Sequence, residues 1–257
     1  MTNILEKIEQ AQMVLVGLGE ELDLYRKIRK SQEYRDLCEK TGNAEISSYA
    51  MHWFLQSRTD ENREFYQNLA ELLKGKNYFV VSLCQDGSIW NSNLDQNRIV
   101  TPCGDFRKLQ CEDGACTELY SVTDQYPGIG NEMEAYLNGE ISETDLHLPC
   151  CPHCGKPLVF NNIEAEHYLE EGYLTQWSLY TKWLQGTLNR ELCILELGVG
   201  MAYPTVIRWP FEKTAFINNK AYMYRVHSSL YQITEEIAGK AEGICQNPVD
   251  FLKELSK

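Results

Sequence analysis

Four cysteines constrain this chain more than any other feature. Cys111-Glu-Asp-Gly-Ala-Cys116 and Cys151-Pro-His-Cys154 are two turn-flanked pairs, each with a glycine beside a cysteine that frees backbone amides to approach the sulfurs. Four thiolates satisfy a tetrahedral zinc fully, so Cys111, Cys116, Cys151 and Cys154 read as the ligands of one structural Zn2+. A centre closed by four protein ligands leaves no position for water, and such a metal staples loops instead of hydrolysing a substrate. Imidazole is also an acceptable zinc ligand, so His153 is an alternative to one sulfur, and Cys150 adjoins the second pair. The Cys-Pro-x-Cys-Gly pattern favours Cys151 and Cys154. The plain alternative is a set of ordinary buried cysteines.

The metal reading depends on the compartment. The start, MTNILEKIEQAQM, has no apolar core of signal-peptide length behind a basic end, and no later stretch approaches the ~20 apolar residues of a membrane span. The expectation is a cytoplasmic protein, in which paired cysteines hold metal and do not form disulfides. A net charge of −13 opposes nucleic acid and anionic bilayers, so neither is expected as a partner. At 257 residues and 43% hydrophobic, the chain can bury the core of one large lobe carrying a smaller one.

Along the chain, Ile4, Leu5 and Ile8 predict a short helix over Thr2 to Ala11 with Thr2 as its cap, followed by the strand Met13-Val-Leu-Val16. Residues 20–75 read as amphipathic helices ended by the strand Tyr78-Phe-Val-Val-Ser82, and 103–155 as an insertion rich in cysteine and turn formers. Beyond it come a helix over Tyr168 to Leu188, a buried strand Leu192–Leu197, a strand Ala221–Val226, a helix through Ile233, Ile237 and Ala241, and a closing helix from Pro248 to Leu255. Short apolar strands alternating with helices imply an α/β fold with a parallel sheet covered on both faces.

Two glycine turns follow apolar strands, Gly17-Leu18-Gly19 and Gly198-Val199-Gly200. Ligand crevices of open parallel sheets lie at the carboxyl ends of strands, which points to a nucleotide, although glycine there is often turn geometry alone. Glu20 and Glu21 follow the first turn directly. A carboxylate ~4 Å from a phosphate costs roughly 1 to 4 kcal/mol, so either these side chains turn away or a pyrophosphate does not sit there.

The order strand, Gly-x-Gly, helices, strand with acidic turn, Gly-Asp, two cysteine pairs, Gly-x-Gly strand end resembles the sirtuins over nearly the whole chain. The likeness is to their bacterial ADP-ribosylating, macrodomain-linked branch, and it is carried by Cys103-Gly-Asp-Phe-Arg-Lys-Leu-Gln-Cys111, Leu148-Pro-Cys-Cys-Pro-His-Cys-Gly155 and Glu196-Leu-Gly-Val-Gly-Met-Ala-Tyr-Pro204. The resemblance implies a Rossmann-type NAD-binding lobe (1–22, 76–108 and 156–257). It also implies a small lobe made of a helical insertion (23–75) and a zinc-ribbon module (109–155), with NAD in the cleft between the lobes. It further implies cleavage of the nicotinamide–ribose bond and capture of the ribose carbon by an acyl-lysine oxygen or another nucleophile. By the same resemblance Gly17, Gly19, Gly198 and Gly200 would line the cofactor, Asp86 would hold the nicotinamide carboxamide, and His227 would take the place of the asparagine that binds the adenine-side ribose.

The departures bear on chemistry. The small or hydroxyl residue expected after the first turn is Glu20, Cys84 stands where the family has asparagine, and Cys103 aligns with the catalytic histidine. Loss of such a base removes ~10²-fold to 10⁴-fold of rate, which disfavours deacylation. ADP-ribosyl transfer or NAD hydrolysis needs positioning and electrostatic support more than a base. Asp105 would raise the Cys103 pKa and oppose its use as a nucleophile, and the plain reading of Cys84, Cys103 and Asp86 is cleft packing and a turn aspartate. The reading is therefore an NAD-dependent protein ADP-ribosyltransferase or deacylase of altered or weak activity, acting on a protein such as a lipoyl carrier. The alternative is an inactive sirtuin fold binding NAD, ADP-ribose or a protein partner. His52 and His167 read as helical surface or packing residues, Trp177, Tyr180 and Trp183 as core, and Glu164, Glu166, Glu170 and Glu171 as a solvated helix face. Arg208 reads as a phosphate contact or the partner of a surface acid.

Overall fold

The structure is a computed structural model and describes residues 2–256. Met1, Lys257 and the side chain of Thr2, read above as a helix cap, lie outside the described part. The chain runs α1 (Thr2–Gln10), β1 (Met13–Leu18), α2 (Leu24–Arg29), α3 (Gln32–Thr41), α4 (Ala44–Ser57), α5 (Arg63–Leu72), β2 (Asn77–Ser82), β3 (Ile99–Val100), β4 (Gly104–Cys111), β5 (Leu119–Ser121), α6 (Val122–Gln125) and α7 (Ile129–Asn138). It continues through β6 (Leu158–Asn162), α8 (Leu174–Gln185), β7 (Leu192–Leu197), α9 (Arg208–Ile217), β8 (Ala221–Val226), β9 (Ala241–Ile244) and α10 (Pro248–Leu255).

Period-two alternation sends one side of each central strand to each face of the large sheet. Val14, Val16, Leu18, Val80, Leu195 and Leu197 meet α1, α5 and α10 through Ile4, Ile8, Phe65, Leu69, Phe251 and Leu252. Leu15, Phe79, Val81, Ile194 and Met223 meet α8 and α9 through Tyr180, Trp183, Phe211 and Ala215. Both faces are covered, which is why these strands read as unbroken apolar runs. The sheet order is β3-β2-β1-β7-β8-β9, parallel throughout. From β1 the chain builds outward to β2 and β3, and the later strands build outward on the other side. The order therefore reverses between β1 and β7, and the crevice over their carboxyl ends is the ligand position of such sheets.

A second sheet, β5-β4-β6, is antiparallel and packs with α2, α3, α4, α6 and α7 around its own core of Tyr49, Met51, Phe106, Leu109, Met133 and Phe160. The lobe boundaries differ from those drawn on the sequence. Helix α5 packs on the large sheet beside α10, so the helical part of the small lobe ends with α4, while β4 and β6 belong to the small sheet.

The readings of β1, β2, β7, β8, α1 and α10 hold, and those that fail do so for identifiable reasons. The spacing of Ile233, Ile237 and Ala241 mimics a helix, but only Ile237 is buried; residues 235–240 form a 3-10 turn and Ala241 opens β9, whose backbone pairs with β8. Helix α9 went unread because its apolar face meets the sheet through Phe211 and Ala215 only. His167, Glu164 and Glu166 sit in an irregular turn before α8 and not on a helix, and Glu170 and Glu171 lie in a 3-10 turn. Tyr180 and Trp183 are core, as read. Among the described residues no helix is long and apolar enough to cross a membrane.

Candidate metal centre and crevice

The end of β4 delivers Cys111 and the following turn delivers Cys116, opposite the knuckle of Cys151 and Cys154. The four sulfurs all lie within 4.8 Å of one another. Cys111 and Cys154 sulfurs are 3.5 Å apart, near the ~3.8 Å edge of a tetrahedron with 2.3 Å metal–sulfur bonds. Gly114 (φ +64°) and Gly155 (φ +75°) take the left-handed turns that close the two loops. Burial works against ionising Cys151, and the amides of His153 and Cys154 outweigh it, bringing the thiol down to about 6. His153 pairs with Glu118 at 2.7 Å and Cys150 is exposed, so neither joins the cluster. The donor set fits a closed tetrahedral metal.

Over β1 and β7 the two glycine turns abut. A Cβ on Gly19 would lie 2.2 Å from the Val199 Cα, and Gly19 N–H donates to the Leu197 carbonyl at 2.9 Å. Gly17 lies inside β1 and faces α9, where a Cβ would meet Ile207 at 2.6 Å and Phe211 at 2.8 Å. Its lack of a side chain serves helix packing. Glu20 does not turn away: its Oε2 accepts from the Gly200 amide at 2.6 Å and its Oε1 from the Ala202 amide at 3.0 Å. Glu21 accepts from the Ser228 amide at 3.1 Å just beyond β8. His227 Nδ1 accepts from the amides of Ser229 and Leu230, both at 3.0 Å, which leaves the proton on Nε2. Burial holds its pKa below the ordinary value, against the pull of Glu21.

Arg208 is turned inward. It is 8% exposed, donates to the Val199 carbonyl at 3.0 Å and the Leu230 carbonyl at 2.9 Å, and lies 3.8 Å from buried Glu196. Glu196 in turn receives two hydrogen bonds from Arg225 at 2.7 and 3.0 Å. This network fixes the second glycine turn from beneath.

Beside these turns sits a buried acidic group that the sequence reading missed in part. Asp86 Oδ2 accepts from the Leu24 amide at 2.8 Å and its Oδ1 from the Ser88 amide at 2.7 Å. Asp23 is fully buried; Oδ1 caps α2 at Tyr25 N–H, 3.2 Å, while Oδ2 has no hydrogen-bond partner. Burial first, and the Asp86 charge second, push Asp23 well above the usual carboxylate range. Arg26 Nε lies 3.7 Å from that oxygen and its guanidinium stacks 5.4 Å from the Tyr203 ring. Arg26 Nε, Tyr66 Oη and Gln85 Oε1 are likewise buried without a hydrogen-bond partner among the described residues.

The two aligned cysteines are buried, with their thiols pushed up. Cys84 Sγ donates to the Gly19 carbonyl at 3.5 Å, and burial with the charges of Asp23 and Asp86 pushes its thiol well up. Cys103 is 1% exposed, and burial followed by the Asp23 charge raises it to about 12. The direction agrees with the sequence argument but the carboxylate responsible does not: Asp105 is engaged by Arg107 at 2.8 Å and by the Trp90 N–H at 2.9 Å. Arg107 also stacks on Trp90, 4.3 Å from its ring centre. Thus Cys84, Cys103 and Asp86 come together with Asp23, whereas Gly19, Gly198, Gly200 and His227 gather around Glu20 and Glu21. A cavity of about 780 Å³ lined by Gln12, Met13, Asn77 and Trp183 lies at the opposite end of the sheet, where β1 and β2 begin.

No protein-family profile matches the chain. It is 20% identical over 252 residues to a Staphylococcus aureus protein ADP-ribosyltransferase, an alignment covering 90% of this chain and 78% of that one. It is 27% identical over 160 residues to a Fusarium oxysporum probable bifunctional ADP-ribose hydrolase/ADP-ribosyltransferase, covering 59% of this chain and 26% of that longer protein. A solved Sir2 enzyme superposes over 99% of this chain and 94% of its own, with TM-score 0.56 and 13% identity. A second Sir2 structure, in complex with an inhibitor, 2′-O-acetyl-ADP-ribose and a deacetylated peptide, gives the same score and identity over 97% of its length.

Proposed function

We propose that this chain, which has the sirtuin fold and ADP-ribosyltransferases among its sequence relatives, is an NAD-dependent protein ADP-ribosyltransferase in which deacylation has been lost. The observation that carries the choice is Cys103. Where a sirtuin deacylase keeps a base, this chain keeps a buried thiol raised to about 12, which takes no proton from a ribose hydroxyl at neutral pH.

The residues fit one half of the cofactor. Asp23 Oδ2 and Arg26 Nε, which face each other as an ion pair at 3.7 Å, and Tyr66 Oη and Gln85 Oε1 are buried polar atoms with no hydrogen-bond partner among the described residues, which suit the amide and hydroxyl groups of a nicotinamide riboside. The amides at Gly200, Ala202 and Ser228 hold Glu20 and Glu21, and with those side chains in place they do not receive a diphosphate. When bound, NAD supplies the nicotinamide–ribose bond whose breakage leaves an electrophilic ribose carbon.

Asp23, its pKa raised by burial and by the Asp86 charge, is a carboxyl suited to exchange a proton with an acceptor group. Arg26 stacks on Tyr203 next to it, and Trp90 is held by Asp105 and Arg107. The acceptor is a protein side chain, with lipoyl carrier proteins as the first class to try. Four thiols available for Zn2+ accord with a reducing, cytoplasmic setting.

One observation favours a second reading, a silent sirtuin fold that binds nucleotide or protein: Glu20 already sits on the crevice amides. Incubation with NAD and candidate acceptors separates the two. Nicotinamide release supports the transferase, and binding without release supports the silent fold.

A further inference from the structure

The sheet reverses order between β1 and β7, and the backbone amides that would receive an anion there belong to Gly200 and Ala202, just beyond β7, and to Ser228, beyond β8. All three point at carboxylates of this chain. Glu20 takes the first two in a bidentate grip at 2.6 and 3.0 Å, and Glu21 takes the third at 3.1 Å. Gly200 permits the approach: a Cβ there would lie 3.2 Å from Glu20 Oε2. The two turns pack backbone against backbone, a Cβ on Gly19 lying 2.2 Å from the Val199 Cα, and the amide face beside them lies under Glu20.

The backbone that carries these two residues is fixed. Leu22 is buried, its amide donates to the Gly19 carbonyl at 3.0 Å and its carbonyl accepts from the Asn62 side chain at 3.1 Å. The Glu21 amide donates to the Gly198 carbonyl at 3.1 Å, and the Leu24 amide is held by Asp86. The turn is thus tied at both ends, while the Glu20 and Glu21 side chains need only rotate about their own bonds to leave.

We infer that Glu20 and Glu21 are internal stand-ins for the anionic group of a nucleotide: they occupy its amide cradle at the β1/β7 switch point and must swing out before a diphosphate can bind. The inference rests on the NAD reading of this crevice and adds to it a built-in competitor that sets nucleotide affinity. Two unit negative charges leave the cradle when the ligand's charges enter, so removing the carboxylates strengthens binding twice over, by freeing the amides and by lifting like-charge repulsion.

The test is calorimetric titration of ADP-ribose into the full chain and into two variants, Glu20→Gln and the double variant Glu20→Ala/Glu21→Ala, with zinc content and circular dichroism confirming the native fold. The double variant is expected to bind about tenfold tighter or better. Glu20→Gln, which keeps the side chain's size and a carbonyl acceptor but loses the charge, is expected between it and the parent. Equal or weaker binding by folded Glu20→Gln, or no ADP-ribose binding by any of the three, overturns the inference. The outcome is separable from that of the transferase reading, which fails if nicotinamide is not released even while the variants bind ADP-ribose more tightly.

Discussion

Asp86 accepts the backbone amide of Leu24 at 2.8 Å, tying the loop after β2 to the loop after β1. With its second oxygen on the Ser88 amide, the side chain spends both acceptors on backbone. Each hydrogen bond to a charged group contributes about 1.5–3 kcal/mol, and a buried donor left alone costs about 1–3 kcal/mol. Asp86→Ala is therefore expected to destabilise the chain by about 3–5 kcal/mol in urea titrations, and Asp86→Asn by about half as much. Stability unchanged by Asp86→Ala would contradict this bracing role.

Asp23 sets a pH dependence whose sign follows from its burial. Its folded pKa lies above the ordinary value of 3.8, so between the two the native state binds more protons than the unfolded state. Stability from this group is present below pH 3.8 and is lost as pH rises through the folded pKa, with a slope of up to about 1.4 kcal/mol per pH unit. Asp23→Asn should flatten that slope in denaturation curves taken from pH 4 upward. An unchanged slope would show that Asp23 ionises normally.

Cys103, buried and raised to about 12, is expected to resist alkylation by iodoacetamide at pH 7 in the folded chain, while exposed Cys245 reacts. Cys103→Ser should leave any nicotinamide release within about twofold of the parent. Rapid labelling of Cys103, followed by peptide mass spectrometry, would restore it as a nucleophile.

Elemental analysis is expected to find one zinc per chain. Cys151→Ser should lose the metal and cooperative folding of the small lobe, because the free energy of closing a four-thiolate site is folding free energy. Cys150→Ser, altering an exposed neighbour outside the cluster, should retain both. Equal zinc content in the two variants would exclude the quartet as the site.

What the sequence revealed and what it hid divide along physical lines. Strands β1, β2, β7 and β8 are buried on both faces, so their composition alone marks them. The zinc quartet is legible because its chemistry is local to two knuckles. Strand β9 was not, since an edge strand is defined by its partner β8 and not by its own pattern. The ownership of α5 was hidden for a similar reason: Phe65 and Leu69 look the same whichever core they enter. At the crevice, the conflict between Glu20 and a phosphate was evident from adjacency, but its resolution was not. Only the fold brings Glu20 to amides 180 residues away. Asp23 went unnoticed in the sequence because its significance lies in an oxygen that distant packing leaves without a hydrogen bond.

The most direct test of the account is nicotinamide release by the purified, zinc-loaded chain given NAD and candidate protein acceptors, followed by mass spectrometry of the acceptor. The account predicts nicotinamide together with an ADP-ribose adduct on protein, and no release of acyl groups from acyl-lysine peptides. NAD-dependent deacylation, or tight NAD binding with no nicotinamide released, would contradict it.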